Sequence, residues 1–595
     1  MKDIFKDKNK RTIFLTLIFS FILILIGTTY AYFSWQSTNN PLVNITVEDI
    51  GDVIFKGGND INITNIGPVL DYNDGEITEF YIKKKMDNNL DININITPTI
   101  LPDSLKDESF KVKLLSSTDN ITYTEIKEDN FKDKETNIKF TLSTTELTNK
   151  LTYFKIIFYI DGNMLNSNNM KGQSFEARIE ISVDSQCPKN TVTPVYTDTS
   201  GANAPVLAEG MIPVVYDEGL GYWIKADTDA GWYNYTDKIW ANAVMVKTDA
   251  TEGVECSKSR SYYMNAPAYT PVKEEDILAY YVWIPRYKYK LFNATYASGT
   301  SPQAIDVTFE NGTSTTGNVT CTYNTDGAEK CTNKANGNLY THPAFTMINA
   351  SGNKTELKGI WVGKFEVSGS ATAPRVKPGV SSLTSITVAN MYSAGKLFRS
   401  TDYITSNGIN QSDSHMMKNI EWGAVAYLKQ SNYGLGITDM GINNNSNRIT
   451  GCGAITGSSI SKTCNAYNTA TGMLVSTTGN ITGVYDMSGG ALEYVMGNYN
   501  KTSGSSGLTV SGVPAEHIDI YSGTSVSASH LGDALGETAD WYSDSAFFVL
   551  SSNPWFERGG NCYNGDNAGV FNFGLITGEA VGNVGFRIVL STTGA

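Results

Sequence analysis

Apolar and polar residues alternate along three stretches in the first third of the chain. Phe110, Val112 and Leu114 are separated by Lys111 and Lys113. Ile138, Phe140 and Leu142 repeat the pattern, and Phe175, Ala177, Ile179, Ile181 and Val183 alternate with Glu176, Arg178, Glu180 and Ser182. A period of two puts every second side chain on one face, so each run predicts a strand with one buried side. Turns rich in Asn, Asp and Gly separate the runs. Two such sheets cover each other's apolar faces, which predicts an all-β sandwich over residues 36–186, serving as a stalk. Within it, DYNDGEITE (71–79) places Gly75 too early for an EF-hand loop and reads as a hairpin turn.

The pattern then changes. A Pro/Thr/Ala/Gly-rich connector over 187–209 leads into closely spaced aromatics: Tyr216, Tyr222, Trp223, Trp232, Tyr233, Tyr235 and Trp240. Residues 187–275 are therefore expected to form a linker and a small aromatic β module. Core packing explains such side chains; stacking on a glycan is the other reading. From Asp276 onward the pattern is mixed α+β. Strands are predicted over 279–285, 359–367, 546–550, 568–573 and 586–590. Helices are predicted over 387–397 and 415–429, the second with Met417, Ile420, Ala424 and Leu428 on one face and Ser414 as its cap.

The chain begins with Lys2, Lys6, Lys8, Lys10 and Arg11, followed by an apolar run over 13–26 and the stretch GTTYAYFSW (27–35). A basic flank before an apolar run predicts a secretory signal peptide or an uncleaved signal anchor within 1–35, that is, an N-terminal membrane or signal helix. Both readings put the remainder outside the cell, either N-terminally membrane-anchored at the surface or secreted. The GTTYAYFSW stretch resembles the export segments of camelysin-like proteins of Gram-positive bacteria, which favours cleavage.

The 595 residues suffice for about four domains. A net charge of −14, from 46 Lys+Arg against 60 Asp+Glu, argues against a nucleic-acid partner, whose phosphates need basic contacts. Seven cysteines without a CxxC give no zinc-ribbon or thioredoxin signature. Local pairs Cys187–Cys256, Cys321–Cys331 and Cys452–Cys464 suit an exported protein; Cys562 is left over. HExxH, GxSxG, GxxxxGK[ST] and a strand-linked GxGxxG are all missing from the sequence. His342, His415, His517 and His530 are scattered and read as structural or surface residues. No enzyme activity, cofactor or metal site is expected.

Six blocks occur in order: VWIPRY (282–287), GIWVGKFEVS (359–368), EWGAVAYL (421–428), VYDMSGGALEYV (484–495), WFERGG (555–560) and GFRIVL (585–590). Together they resemble the C-type-lectin-like fold of the formylglycine-generating, sulfatase-modifying-factor superfamily. The resemblance covers residues 276–595. The oxidases of that superfamily hold copper with two cysteines, but only Cys562 stands in the corresponding region. Relatives that bind calcium carry an Asn-x-Trp-Glu block; here Gly490 and Leu492 replace its Asn and Trp, leaving Glu493 as a structural acid.

The segment 555–590 is most similar to the variable region of ligand-binding proteins diversified by retroelements. In those proteins, adenine-directed copying rewrites codons near the C-terminus. The resemblance implies a constant framework (Arg558, Gly559, Gly560, 568–571 and 585–587) and variable, ligand-binding positions. The latter are Cys562, Tyr563, Asp566, Gly574, Leu575, Ile576, Val581, Gly582, Asn583 and Val584. Replacing both adenines of an AAC codon yields Cys, Tyr, Asp, Gly, Leu, Ile or Val, and excludes Glu, Gln, Lys, Met and Trp. None of the excluded types occupies a proposed variable position. Apolar residues such as Leu575, Ile576, Val581 and Val584 on exposed loops imply contact with a ligand, unless they pack beneath a neighbouring loop. The expectation is an exported protein whose lectin-like domain binds a protein or glycan on another surface. A copper-dependent oxidase and a biofilm or fibre subunit are the alternatives.

Overall fold

The computed structural model describes residues 53–592 apart from 57–60, 85–89, 148–150, 166, 185–194, 252–255, 325, 350, 400–402, 404–406 and 410–411. The export segment expected over 1–35 lies outside the described residues. Among the described residues, no helix is long and apolar enough to cross a membrane. The chain forms two compact units, 1–188 and 189–595. Both are rich in β-structure, arranged in several sheets, with few helices.

In the first unit, Thr152–Asp161 is central to one sheet, flanked by Glu76–Lys84 and Phe110–Ser117. Ile61–Ile66, Gln173–Asp184, Leu90–Ile100 and Phe140–Leu147 form the other. The inward faces of the two share one core, with Ile92, Ile94 and Ile96 from one sheet and Phe110, Val112, Leu114, Phe154, Ile156 and Phe158 from the other. The two-residue period thus produces a sandwich. Ile138 departs from the expected pattern: it is 61% exposed, and its strand starts at Phe140. DYNDGEITE forms a short 3-10 turn, Tyr72–Asp74, capped by the Asp71 carboxylate, which accepts from the Asn73 amide at 2.9 Å.

The second unit contains a seven-stranded sheet in the order Tyr222–Lys225, Met211–Asp217, Asn242–Val246, Ile277–Pro285, Gly359–Gly363, Ile588–Ser591, Asp413–Met416. The aromatic stretch is therefore not a module of its own. Its three strands extend the same sheet as the downstream blocks, and Trp223, Tyr235 and Trp240 join one core running from Ala208 to Leu590. Core packing accounts for them. Ile277–Pro285, the middle strand of the seven, is buried along its whole length.

The expected helix over 415–429 is also corrected. Asp413–Met416 is a strand paired with Ile588–Ser591, and the helix is Asn419–Lys429. Ser414 does not cap it; its buried hydroxyl donates to Gly395 O at 2.6 Å. The helix start is fixed instead by Glu421, whose carboxylate accepts from the Lys418 amide at 2.8 Å. The other predicted helix appears as Val388–Lys396, capped by Thr387.

A second sheet carries the region of interest. Leu492–Tyr499 pairs with Trp555–Arg558, which pairs with Phe573–Ile576. Asp519–Tyr521 and Val584–Phe586 run parallel to Leu492–Tyr499 on its other side. The expected strand over 568–573 is displaced to Phe573–Ile576, and 546–550 contributes only a bridge from Ala546 to Phe573. Arg587 stands between the last strand of this sheet and Ile588–Ser591 of the larger one.

Candidate ligand-binding site

The framework implied by the sequence is fixed at several points. Gly559 and Gly560 adopt φ of 82° and 69°, where a side chain would be strained. A Cβ at Gly560 would also lie 2.7 Å from the Ala568 Cα. These glycines turn the chain out of the Trp555–Arg558 strand. The run 568–571 is buried and held from both sides. Trp422 Nε1 donates to Val570 O at 2.7 Å, and the Phe571 amide donates to Asp544 Oδ2 at 2.9 Å. Arg558 is buried beside the Trp422 ring and donates to the carbonyls of Asp533 at 3.2 Å and Ala534 at 3.0 Å.

Arg587 ties the two sheets together. Its Nη1 donates to Gly363 O and its Nη2 to Tyr485 O, both at 2.8 Å. Nε and Nη2 donate to Glu493 Oε2 and Oε1 at 3.1 and 2.5 Å. Both oxygens of Glu493 are thus engaged by a guanidinium, and the residue acts as a structural acid. Glu366 and Asp486 share this buried cluster. Burial raises all three carboxyls above their ordinary range, with mutual repulsion adding for Glu366 and Glu493 and Arg587 opposing it.

Between the framework pieces lie two connections. Residues 559–572 join the second and third strands of the sheet, and 577–583 return from the third to Val584–Phe586. Both border the run 490–492: the Cys562 amide donates to Gly490 O at 3.1 Å, and the Leu492 amide donates to Asn583 O at 2.9 Å. A third neighbour is the loop stapled by Cys452–Cys464, since a Cβ on Gly457 would stand 2.9 Å from Asp566 Oδ1.

The second connection is held by its own carbonyl groups. Thr577 O accepts from the Ser505 amide at 2.7 Å, Gly578 O from Val388 at 3.2 Å, Glu579 O from the Tyr494 hydroxyl at 2.9 Å and Val581 O from Ser385 at 2.9 Å. With Asn583, five carbonyls fix the path. A carbonyl is present whatever the side chain, so at 581–583 this anchoring does not depend on residue identity; Gly578, with φ of 91° and a Cβ position 2.6 Å from Trp555 Cδ1, must stay a glycine.

The expected binding residues divide into two groups. Tyr563, Asp566 and Gly582 are exposed, and Leu575, Ile576, Val581 and Asn583 are half-buried. Cys562, Gly574 and Val584 are buried and are withdrawn from the surface patch. Val584 is a strand residue opposite Leu492, with its side chain in the core. Gly574 lies in the strand opposite Glu557. Burial pushes the Cys562 thiol up, which makes it a poor nucleophile or metal ligand. Leu575 and Ile576 belong to a strand rather than a loop, so their side chains leave on opposite faces. Together with Val581 they pack partly against the core. The reading of four outward apolar side chains is therefore replaced by a smaller patch, formed by 563–567 and 581–583.

Other residues of the site escaped the sequence reading. Glu557, on the strand face shared with Trp555 and Gly574, is half-buried, and its Oε2 has no hydrogen-bond partner. Burial raises its carboxyl to about 7. Ile455 and Ile460, 64% and 50% exposed, project from the stapled loop beside Asp566. The disulfides Cys321–Cys331 and Cys452–Cys464 form as expected, and Cys562 is free. The third expected pair involves Cys187, outside the described residues; Cys256 itself is disulfide-bonded.

No family model matches the chain, and no curated protein matches it. Three solved structures show a distant likeness. One is CpGH89CBM32-5 from Clostridium perfringens in complex with GalNAc-beta-1,3-galactose, 13% identical, covering 22% of this chain and 93% of that one, with a TM-score of 0.13. A pectin-binding carbohydrate-binding module is 17% identical over 23% of this chain and 92% of its own, with a TM-score of 0.13. The GH26-CBM35 beta-(1,4)-mannanase of Podospora anserina is 10% identical over 26% of this chain and 32% of its own, with a TM-score of 0.14. Scores this low do not establish a shared fold.

Proposed function

We propose that the chain is an exported, surface-displayed binding protein. In this reading, its C-terminal half is a C-type-lectin-like domain of the sulfatase-modifying-factor type. The domain presents a patch diversified by a retroelement to a protein or glycan on another surface. The sandwich serves as a stalk, and the N-terminal residues direct export. Binding proceeds without covalent chemistry.

The observation that carries this reading is the division of labour within 555–590. The framework residues are buried, held by the Arg558 and Arg587 side chains, by backbone contacts at Val570 and Phe571, and by glycines at positive φ. Val581, Gly582 and Asn583 lie in a connection held by its own carbonyls, and Tyr563 and Asp566 lie in one held by backbone groups together with the Asn561, Asn564 and Asn572 side chains. A segment anchored in this way accepts new side chains without losing its path, and a preordered path lowers the entropic cost of binding. The copper-oxidase alternative is disfavoured, because Cys562 is buried with its thiol pushed up, and copper would need a second thiolate beside it.

The deciding test is the DNA around the coding sequence. The proposal expects a reverse-transcriptase gene and a near-copy of the codons for 555–590, differing at adenines. The absence of both leaves an ordinary lectin-like binder and overturns diversification.

A further inference from the structure

Two of the four histidines, far apart in sequence, meet in the fold. His415 leaves the edge strand Asp413–Met416, and His517 lies in the short turn before Asp519–Tyr521. Their rings stack with centroids 4.7 Å apart and planes 16° from parallel. Asp413 stands at the open side of the pair. Its Oδ2 is 2.7 Å from His415 Nδ1, and its Oδ1 is 3.0 Å from His517 Nε2. One nitrogen from each ring thus converges on a single carboxylate, and the three donor atoms lie within 4.8 Å of one another.

We propose that Asp413, His415 and His517 form a binding site for a divalent transition-metal ion of the zinc type. Zinc bonds of 2.0–2.2 Å place tetrahedral ligand atoms about 3.3 Å apart, so the ion enters as the carboxylate withdraws and the near-parallel rings turn to aim both lone pairs at it. Two imidazoles and one carboxylate match its ligand preference.

The outer contacts supply a second, independent argument. A metal-bound imidazole must present a lone pair inward and keep its proton on the other nitrogen. His415 Nε2 lies 2.8 Å from Glu421 Oε1, and His517 Nδ1 lies 3.0 Å from the Tyr392 hydroxyl. Each outward nitrogen has a partner that can accept its proton, so both rings can present a lone pair inward once the ion replaces their hydrogen bonds to Asp413. The carboxylate behind His415 is itself held by the Lys418 amide. Metal sites are built with such outer acceptors. The imidazoles are buried, with side-chain exposures of 1% and 8%, whereas Asp413 is 24% exposed. The carboxylate side thus offers an entry path. The ion would clip the outermost strand of the large sheet to the 515–521 segment, which joins the smaller sheet. Nothing in this inference depends on the proposed ligand patch.

The test uses the purified, metal-stripped full chain and Zn2+ alone, measured by calorimetry and elemental analysis. One equivalent should bind with micromolar or tighter affinity and raise the melting temperature, and Co2+ should give the visible absorption of a low-coordinate site. His517→Ala should abolish stoichiometric uptake, and Glu421→Gln should weaken it about 10- to 100-fold. Cys562→Ser should bind as the unaltered chain does. Absence of uptake by the unaltered chain overturns the proposal, whatever the variants' stability. So does full uptake by a folded His517→Ala or Asp413→Asn protein.

Discussion

Arg587 and Glu493 form a forked pair with two hydrogen bonds and no exposure to solvent, at the point where the chain passes from the smaller sheet to the larger. Removing one member leaves the other charge buried without its partner. Arg587→Ala should therefore destabilise the C-terminal unit by roughly 3–5 kcal/mol, measured by urea unfolding. Arg587→Met with Glu493→Leu, which removes both charges, should lose much less.

Glu557 has one oxygen without a partner and a carboxyl raised to about 7 by burial. A folded value above the unfolded one near 4.3 means that its protonated form favours the fold. This contribution is complete below about pH 4.3 and is lost as pH rises to about 7. Glu557→Gln should match the unaltered chain at pH 4 and exceed it by roughly 1–3 kcal/mol at pH 8. Thermal melts across that range check the sign.

Framework and patch residues should respond differently to substitution. Phe571→Ala should cost roughly 3–5 kcal/mol by removing a fully buried ring. Tyr563→Ser, Asp566→Ala and Asn583→Ser should each change stability by no more than about 0.5 kcal/mol, as surface changes do. Chemical unfolding of the four variants side by side distinguishes the two groups.

The Cys562 thiol provides a further check. Under native conditions Cys562 should react slowly with iodoacetamide, and rapidly once the chain is unfolded in urea. Peptide mapping without reductant should recover Cys321–Cys331 and Cys452–Cys464. Loss of the second, which closes a loop of sequence separation 12, should cost about 3 kcal/mol.

Much of the fold was legible where one physical rule acts alone. Alternation at 110–114 and 175–183 reported strands because one face of each sheet is buried. Legibility failed where tertiary pairing decided the outcome. His415 and Met416 continue the periodicity of the following helix, yet pairing with Ile588–Ser591 draws them into a strand. The aromatic stretch resembled a separate module because sequence does not reveal that Asn242–Val246 pairs with Ile277–Pro285. In the site, the framework was readable from its glycines and alternating apolar residues, but Val584 and Leu575 were read as loop residues because neighbouring glycines mimic turns. The meeting of His415 and His517 left no trace in the sequence, since Asp413 and His517 are 104 residues apart and only folding joins them.

The five carbonyl anchors of 577–583 have a wider consequence. Amide oxygens are common to all twenty residue types, so chains altered at 581–583 would keep one shape and melt almost together, while Gly578 is fixed by its left-handed backbone against Trp555. At those three positions foldability would pass unchanged from one variant to the next.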